Sequence, residues 1–124
     1  MKIRKEIKKI EDQIINWRRY FHQNPELGFK EFSTAEKIFN DLKKMGLNPK
    51  KNIGKTGVIA DLIFGEGPMV AFRADMDALP IQETSGLSFS SKNDGVMHAC
   101  GHDGHMAMLL ATAKVLTENK KYHN

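Results

Sequence analysis

The chain has 124 residues, a hydrophobic content of 40%, a charged content of 27% and a formal net charge of +4. That is enough for one ordinary domain built on one core, and the longest apolar runs fall far short of a membrane span. A single cysteine, Cys100, excludes an internal disulfide and fits a reducing compartment. Residues 1–6 are charged and carry no signal-peptide pattern, so the expected location is cytoplasmic.

The charge is uneven: residues 1–51 hold 13 Lys/Arg against 7 Asp/Glu, and residues 52–124 hold 6 against 8. A basic first segment raises the question of nucleic acid. Its lysines, however, are interleaved with Glu6, Glu11, Asp12, Glu36 and Asp41, the pattern of a solvated helix face. Neither nucleic acid nor a membrane is expected as a partner.

Ile3, Ile7, Ile10, Ile14, Trp17 and Phe21 recur at spacings of three and four, which predicts one long amphipathic helix stopped by Asn24-Pro25. Arg18, Arg19, Tyr20 and His22 lie near its end and read as surface residues. A second helix follows, with Ser33 and Glu36 at capping-box spacing, Ala35, Ile38, Phe39 and Leu42 on its buried face, and Gly46 as its stop. Residues 48–55 are polar and read as a loop. Residues 57–64 and 69–75 read as two strands of an antiparallel hairpin joined by the turn 65–68. The second is apolar at consecutive positions, as in a strand covered on both faces.

That second strand ends in Arg73, Asp75 and Asp77. The two carboxylates share a face if the strand continues, and ligands of open α/β sheets sit beyond strand ends. Arg73 equally suits a structural ion pair with one or both of them. Residues 81–93 read as an irregular excursion able to form part of a pocket rim, and residues 106–116 as a mostly apolar helix.

Between these lies His98-Ala99-Cys100-Gly101-His102-Asp103-Gly104-His105, which holds three of the five histidines and the only cysteine. Imidazole, thiolate and carboxylate are the groups that bind divalent transition metals. Gly101 and Gly104 permit turns that bring neighbouring ligands together. The Cys100–His102 spacing is too tight for a zinc knuckle, and one cysteine is too few for a four-ligand structural site. A catalytic site, with fewer protein ligands and bound water, fits better. A carboxylate, from Asp77 or Asp103, would orient a ligating imidazole. The competing thiol nucleophile, Cys100 paired with His102, lacks a protease pattern around it, and residues two apart are poorly placed for that pair.

Four stretches in order resemble the amidohydrolase branch of the aminoacylase/carboxypeptidase G metallopeptidase superfamily, which includes hippurate hydrolase, N-acyl-amino-acid deacylases and auxin-conjugate hydrolases. They are residues 17–28 (WRRYFHQNPELG), 56–58 (TGV), 73–80 (RADMDALP) and 98–105 (HACGHDGH). The resemblance implies an α/β fold: the incomplete N-terminal part of a zinc-exopeptidase-like catalytic domain, a mixed sheet between helices. It implies two divalent metal ions, manganese or zinc foremost and cobalt or nickel also compatible, and hydrolysis of the amide of an N-acyl amino acid or small peptide-like substrate.

Matched motif to motif, Cys100 corresponds to the bridging ligand and His102 to a ligand of one metal. Asp75 stands where aminopeptidase relatives carry a metal-binding histidine, which leaves Asp77 a supporting role. Asp103 and His105 belong to the motif as accessory candidates. Members of the family continue into a strand ending in paired glutamates, one of them the general base, and into further histidine ligands and a dimerisation or lid domain. This chain has no Glu-Glu pair, and after His105 only His123 remains. Residues 1–124 are therefore expected to form a partial catalytic domain that is inactive alone, without the general base or the dimerisation or lid domain. It should expose a sheet edge and an apolar face that the C-terminal part covers, with a homodimer compatible with the full-length form. The alternative is a non-enzymatic truncated fragment that binds metal weakly or associates with a partner.

Overall fold

A computed structural model describes residues 4–119, so Ile3, the polar tail and His123 lie outside the described residues. The expected first helix is divided in two. A single turn, α1 (Lys5–Lys8), ends where Ile10 leaves the helical region at φ −115° and ψ 14°. The main helix α2 (Glu11–Gln23) starts there, with Glu11 and Asp12 against its positive end. It stops before Pro25, where the Asn24 amide donates to the Tyr20 carbonyl at 2.7 Å.

Helix α3 (Phe32–Lys44) is not capped by the expected Ser33–Glu36 box. Glu26 reaches forward instead, accepting from the backbone N–H of Ser33 (3.1 Å) and Thr34 (2.7 Å) and from the Thr34 hydroxyl (2.8 Å). Glu36 is taken up by Lys51 and Asn40. At the other end Gly46 adopts φ +84°, its N–H meets the Lys43 carbonyl, and the Leu47 N–H returns to Leu42. That is a Schellman stop, and only glycine enters it without strain.

Trp17, Phe21, Leu42, Met106, Ala107, Leu110 and Ala111 form the core, with α2 against the last helix, α4 (His102–Glu118). Ala107 and Ala111, one turn apart, let the two helices approach closely. The buried Asp41 ties α3 to α2 by accepting the Trp17 indole N–H at 2.8 Å, and Lys37 pairs with it. Of the expected face of α3, Ala35 and Leu42 are buried and Ile38 packs against the core at its edge. Phe39 is only half-buried, under the ammonium groups of Lys43 and Lys51.

The strands differ most from expectation. The stretch read as a loop supplies β1 (Lys50–Ile53), which pairs antiparallel with β2 (Gly57–Ile59) across a tight turn. The hairpin expected from 57–64 and 69–75 does not form. Beyond Ile59 no strand is present up to residue 75 among the described residues, and Ile63, Met69, Val70 and Phe72 are 64–85% exposed. A strand exists only when a neighbour takes up its N–H and C=O groups, and among the described residues no strand pairs with this run. The expected mixed sheet is thus represented by one two-stranded ribbon and two isolated bridges.

Those bridges carry the chain back into the body. The Ala78 N–H donates to the Glu26 carbonyl at 2.8 Å, and Leu79 exchanges two backbone hydrogen bonds with Met97 at 2.9 and 3.0 Å. Asp77 is thereby fixed beside the start of α4. Among the described residues no helix is long and apolar enough to cross a membrane.

Within the ribbon, a Cβ at Gly57 would stand 2.5 Å from the Ile53 carbonyl oxygen, a backbone atom that cannot yield cheaply. Gly57→Ala should therefore cost about 1–3 kcal/mol in denaturant unfolding. A loss below about 0.5 kcal/mol would show that the ribbon is not built as described.

Candidate metal centre

The expected ligand loop is partly helix. Gly101 takes φ +87° as the residue before α4, and its carbonyl accepts from the N–H groups of Gly104 (3.0 Å) and His105 (3.2 Å). His102, Asp103, Gly104 and His105 therefore form the first turn of α4, which begins four residues earlier than the apolar pattern suggested. Gly101 has the left-handed conformation that a turn requires, whereas Gly104 is ordinary helix.

His102 is held by Asp77. Its Nδ1 lies 3.0 Å from both the Asp77 backbone oxygen and Asp77 Oδ1. Both are acceptors, so Nδ1 carries the hydrogen and Nε2 keeps its lone pair. A ring fixed in that tautomer by a carboxylate is the arrangement found behind metal-ligating histidines. The His102 side chain is 17% exposed, so the lone pair is not sealed in. Cys100, two residues earlier, is an exposed free thiol.

The remaining candidates separate. Asp75 pairs with the exposed Arg73, so the arginine neutralises that carboxylate and leaves Asp77 to the histidine. The two aspartates do not act as one face. Asp103 does not support His102; it turns the other way, into the protein. His105 is exposed, its ring centroid 5.7 Å from that of His102. Among the described residues no group of three or more His, Cys, Asp or Glu side chains converges as a metal would require. Cys100 and His102 have the donor chemistry that a transition metal takes.

Behind this surface lies a buried polar network that sequence reasoning missed. His22, read as a surface residue, is 3% exposed. Its Nδ1 is 2.7 Å from Asp103 Oδ2 and its Nε2 is 3.0 Å from Glu83 Oε1. Arg18 adds a contact to the same Asp103 oxygen at 3.0 Å, and Asp103 is 1% exposed. Arg18 and Arg19 both stack on Phe89 from the 81–93 excursion. That excursion folds over the end of α2, with Lys92 N–H on the Gln23 carbonyl and the Asn93 amide on the Pro25 carbonyl.

Burial raises the Glu83 carboxyl, but hydrogen bonds from Ser85, the Ser91 N–H and His22, together with the His22 charge, bring it down to about 2 from 4.5. His98 is also buried, at 4% exposure, and neither ring nitrogen has a hydrogen-bond partner among the described residues. Burial lowers its pKa, the Asp103 carboxylate opposes that shift, and the neighbouring His22 and His102 reinforce it.

Residues 71–124 match the model of Peptidase family M20/M25/M40. Thermostable carboxypeptidase 2 of Saccharolobus solfataricus is 49% identical over 96% of this chain and 31% of its own length. The chain belongs to the M20 peptidase superfamily. An N-acyl-L-amino acid amidohydrolase of Geobacillus stearothermophilus is 50% identical over 93% of the chain and 32% of its own. The crystal structure of the YXEP protein of Bacillus subtilis, described as a dinuclear metal binding peptidase from the M20 family, superposes with a TM-score of 0.84 at 47% identity. That match covers 90% of this chain and 32% of the YXEP chain. The chain thus spans about a third of the length of the relatives it matches, and its α/β fold is an incomplete N-terminal part of theirs.

The Glu83 carboxyl is held below its ordinary value, so its stabilising contribution is complete above pH 4.5 and is lost as pH falls from there towards 2. Glu83→Gln should be less stable than the parent by about 1–2 kcal/mol at neutral pH, and the gap should close between pH 4.5 and 2. Parallel unfolding free energies of the two proteins across that range would contradict this.

Proposed function

We propose that the chain supplies one part of the active site of a metal-dependent amidohydrolase acting on N-acyl amino acids or small peptide-like substrates. The observation that carries the reading is the His102 ring, pinned through Nδ1 to Asp77 with Nε2 left for a metal and the Cys100 thiol two residues away. The names of the relatives, an amidohydrolase and a carboxypeptidase, favour the cleavage of an amide bond at an amino acid.

In this reading Cys100 and His102 would help hold two divalent ions, manganese or zinc with cobalt and nickel also compatible, Cys100 as the shared ligand and His102 as a ligand of one of them. Bound metal would polarise the amide carbonyl and lower the pKa of water. Asp77 orients His102, while Asp75, Asp103 and His105 stay outside the ligand set. A general base is still needed to take the proton of water and return one to the leaving amine. No described residue is placed for it, so the base and the other ligands come from the part of the fold that this chain does not include. Residues 1–124 form a partial catalytic domain and are inactive alone. A dimerisation or lid domain, and a homodimer, belong to the longer form.

A second reading, a non-enzymatic fragment that associates with a partner, draws on the exposed run containing Ile63, Met69, Val70 and Phe72. Four large apolar side chains left exposed along one run favour an interaction site. The two readings part on metal affinity.

Titration calorimetry of zinc and manganese into the 124-residue chain should show binding that is lost in Cys100→Ala and His102→Ala. It should weaken about 10–100-fold in Asp77→Asn. Binding that survives in both ligand variants would overturn the assignment. A folded chain that binds neither metal would favour the second reading.

A further inference from the structure

The His22 network touches neither candidate ligand, yet three segments far apart in sequence meet on it. Arg18 and His22 come from the last turns of α2, Glu83 from the excursion, and Asp103 from the first turn of α4. Asp103 follows His102 directly and lies three residues from Cys100. Its carboxylate is held by three donors: Oδ2 takes His22 Nδ1 and Arg18 Nε, and Oδ1 takes the Gly104 N–H at 2.9 Å. The residue before α4, Gly101, offers no side chain to cap the helix. The start of α4 is therefore tied to the rest of the protein at two points, His102 to Asp77 on one side and Asp103 to His22 and Arg18 on the other.

We infer that His22 is a positioning residue of the metal-ligand segment, acting beside Asp77: clamped between Glu83 and Asp103, it fixes the first turn of α4 from the side opposite Asp77, and so helps set where Cys100 and His102 stand. Glu83 holds the far side of the ring, so the imidazole cannot rotate away from Asp103. Chemistry on the two ring nitrogens is unequal in this role. The Nδ1–Asp103 bond positions the ligands; the Nε2–Glu83 bond keeps the ring in place.

The inference rests on the reading of Cys100 and His102 as ligands, but its test uses the metal-free 124-residue chain, so each can fail separately. In His22→Asn the amide nitrogen takes the place of Nδ1 and can still donate to Asp103. In His22→Gln it takes the place of Nε2 and can donate only to Glu83. Amide hydrogen exchange is measured at Gly104 and His105, which close the first turn on Gly101, and at Leu110 and Ala111 in the buried middle of α4. The expected result is exchange at least tenfold faster at Gly104 and His105 in His22→Gln, with Leu110 and Ala111 unchanged. In His22→Asn, Gly104 and His105 should exchange within about twofold of the parent.

Unchanged exchange in both variants would overturn the inference. So would a uniform loss of protection along α4 in either variant, since it would make His22 a residue of the fold and not of the site.

Discussion

A carboxylate taken out of water must be met by donors, and in this chain the Asp103 carboxylate is met by the ends of two distant segments. Its pairing with His22 and Arg18 fixes where α4 begins relative to α2. The apolar contacts between these helices, centred on Phe21, Met106 and Leu110, set their distance but are non-directional. The buried charge sets their phase. Arg18 shares the Asp103 oxygen with His22, so the carboxylate stays paired when either contact is lost. The network therefore supports register more than it supports net stability.

From that register the candidate centre follows. The backbone bridges at Ala78 and Leu79 carry Asp77 to the start of α4, and Asp77 then selects one tautomer of His102. The aspartate before it is diverted by Arg73, and the aspartate after the histidine by His22. Three carboxylates close in sequence thus have three different tasks, assigned by what each faces. Among the described residues no three His, Cys, Asp or Glu side chains converge for a metal, in a chain that spans about a third of the length of the relatives it matches.

The helices could be read from the sequence because their signals are local: a three-and-four apolar spacing, Pro25 after Asn24, and Gly46 after Met45. The start of α4 could not, since His102–His105 carry no apolar periodicity and the glycine at 101 provides the turn by conformation alone. The strands failed for a different reason. Residues 69–72 have the composition of a buried strand, but strand formation depends on a neighbour, and none of the described residues provides one. The polar network was hidden by distance, because His22 meets partners 61 and 81 residues away. Cys100 and His102 stood out as donors by residue type, and Asp77 was one of two carboxylates the spacing allowed. Only the structure shows that Asp77, and not Asp103, reaches the His102 ring.

The central claim is that Asp77 holds His102 with its Nδ1 protonated and its Nε2 free to bind a metal. Long-range nitrogen–proton NMR of the imidazoles of the metal-free chain at neutral pH tests this directly. The account predicts a single His102 tautomer with hydrogen on Nδ1, and a shift confined to Nε2 when zinc is added. A His102 ring with its hydrogen on Nε2, or one that averages between tautomers as freely as an exposed histidine, would contradict it.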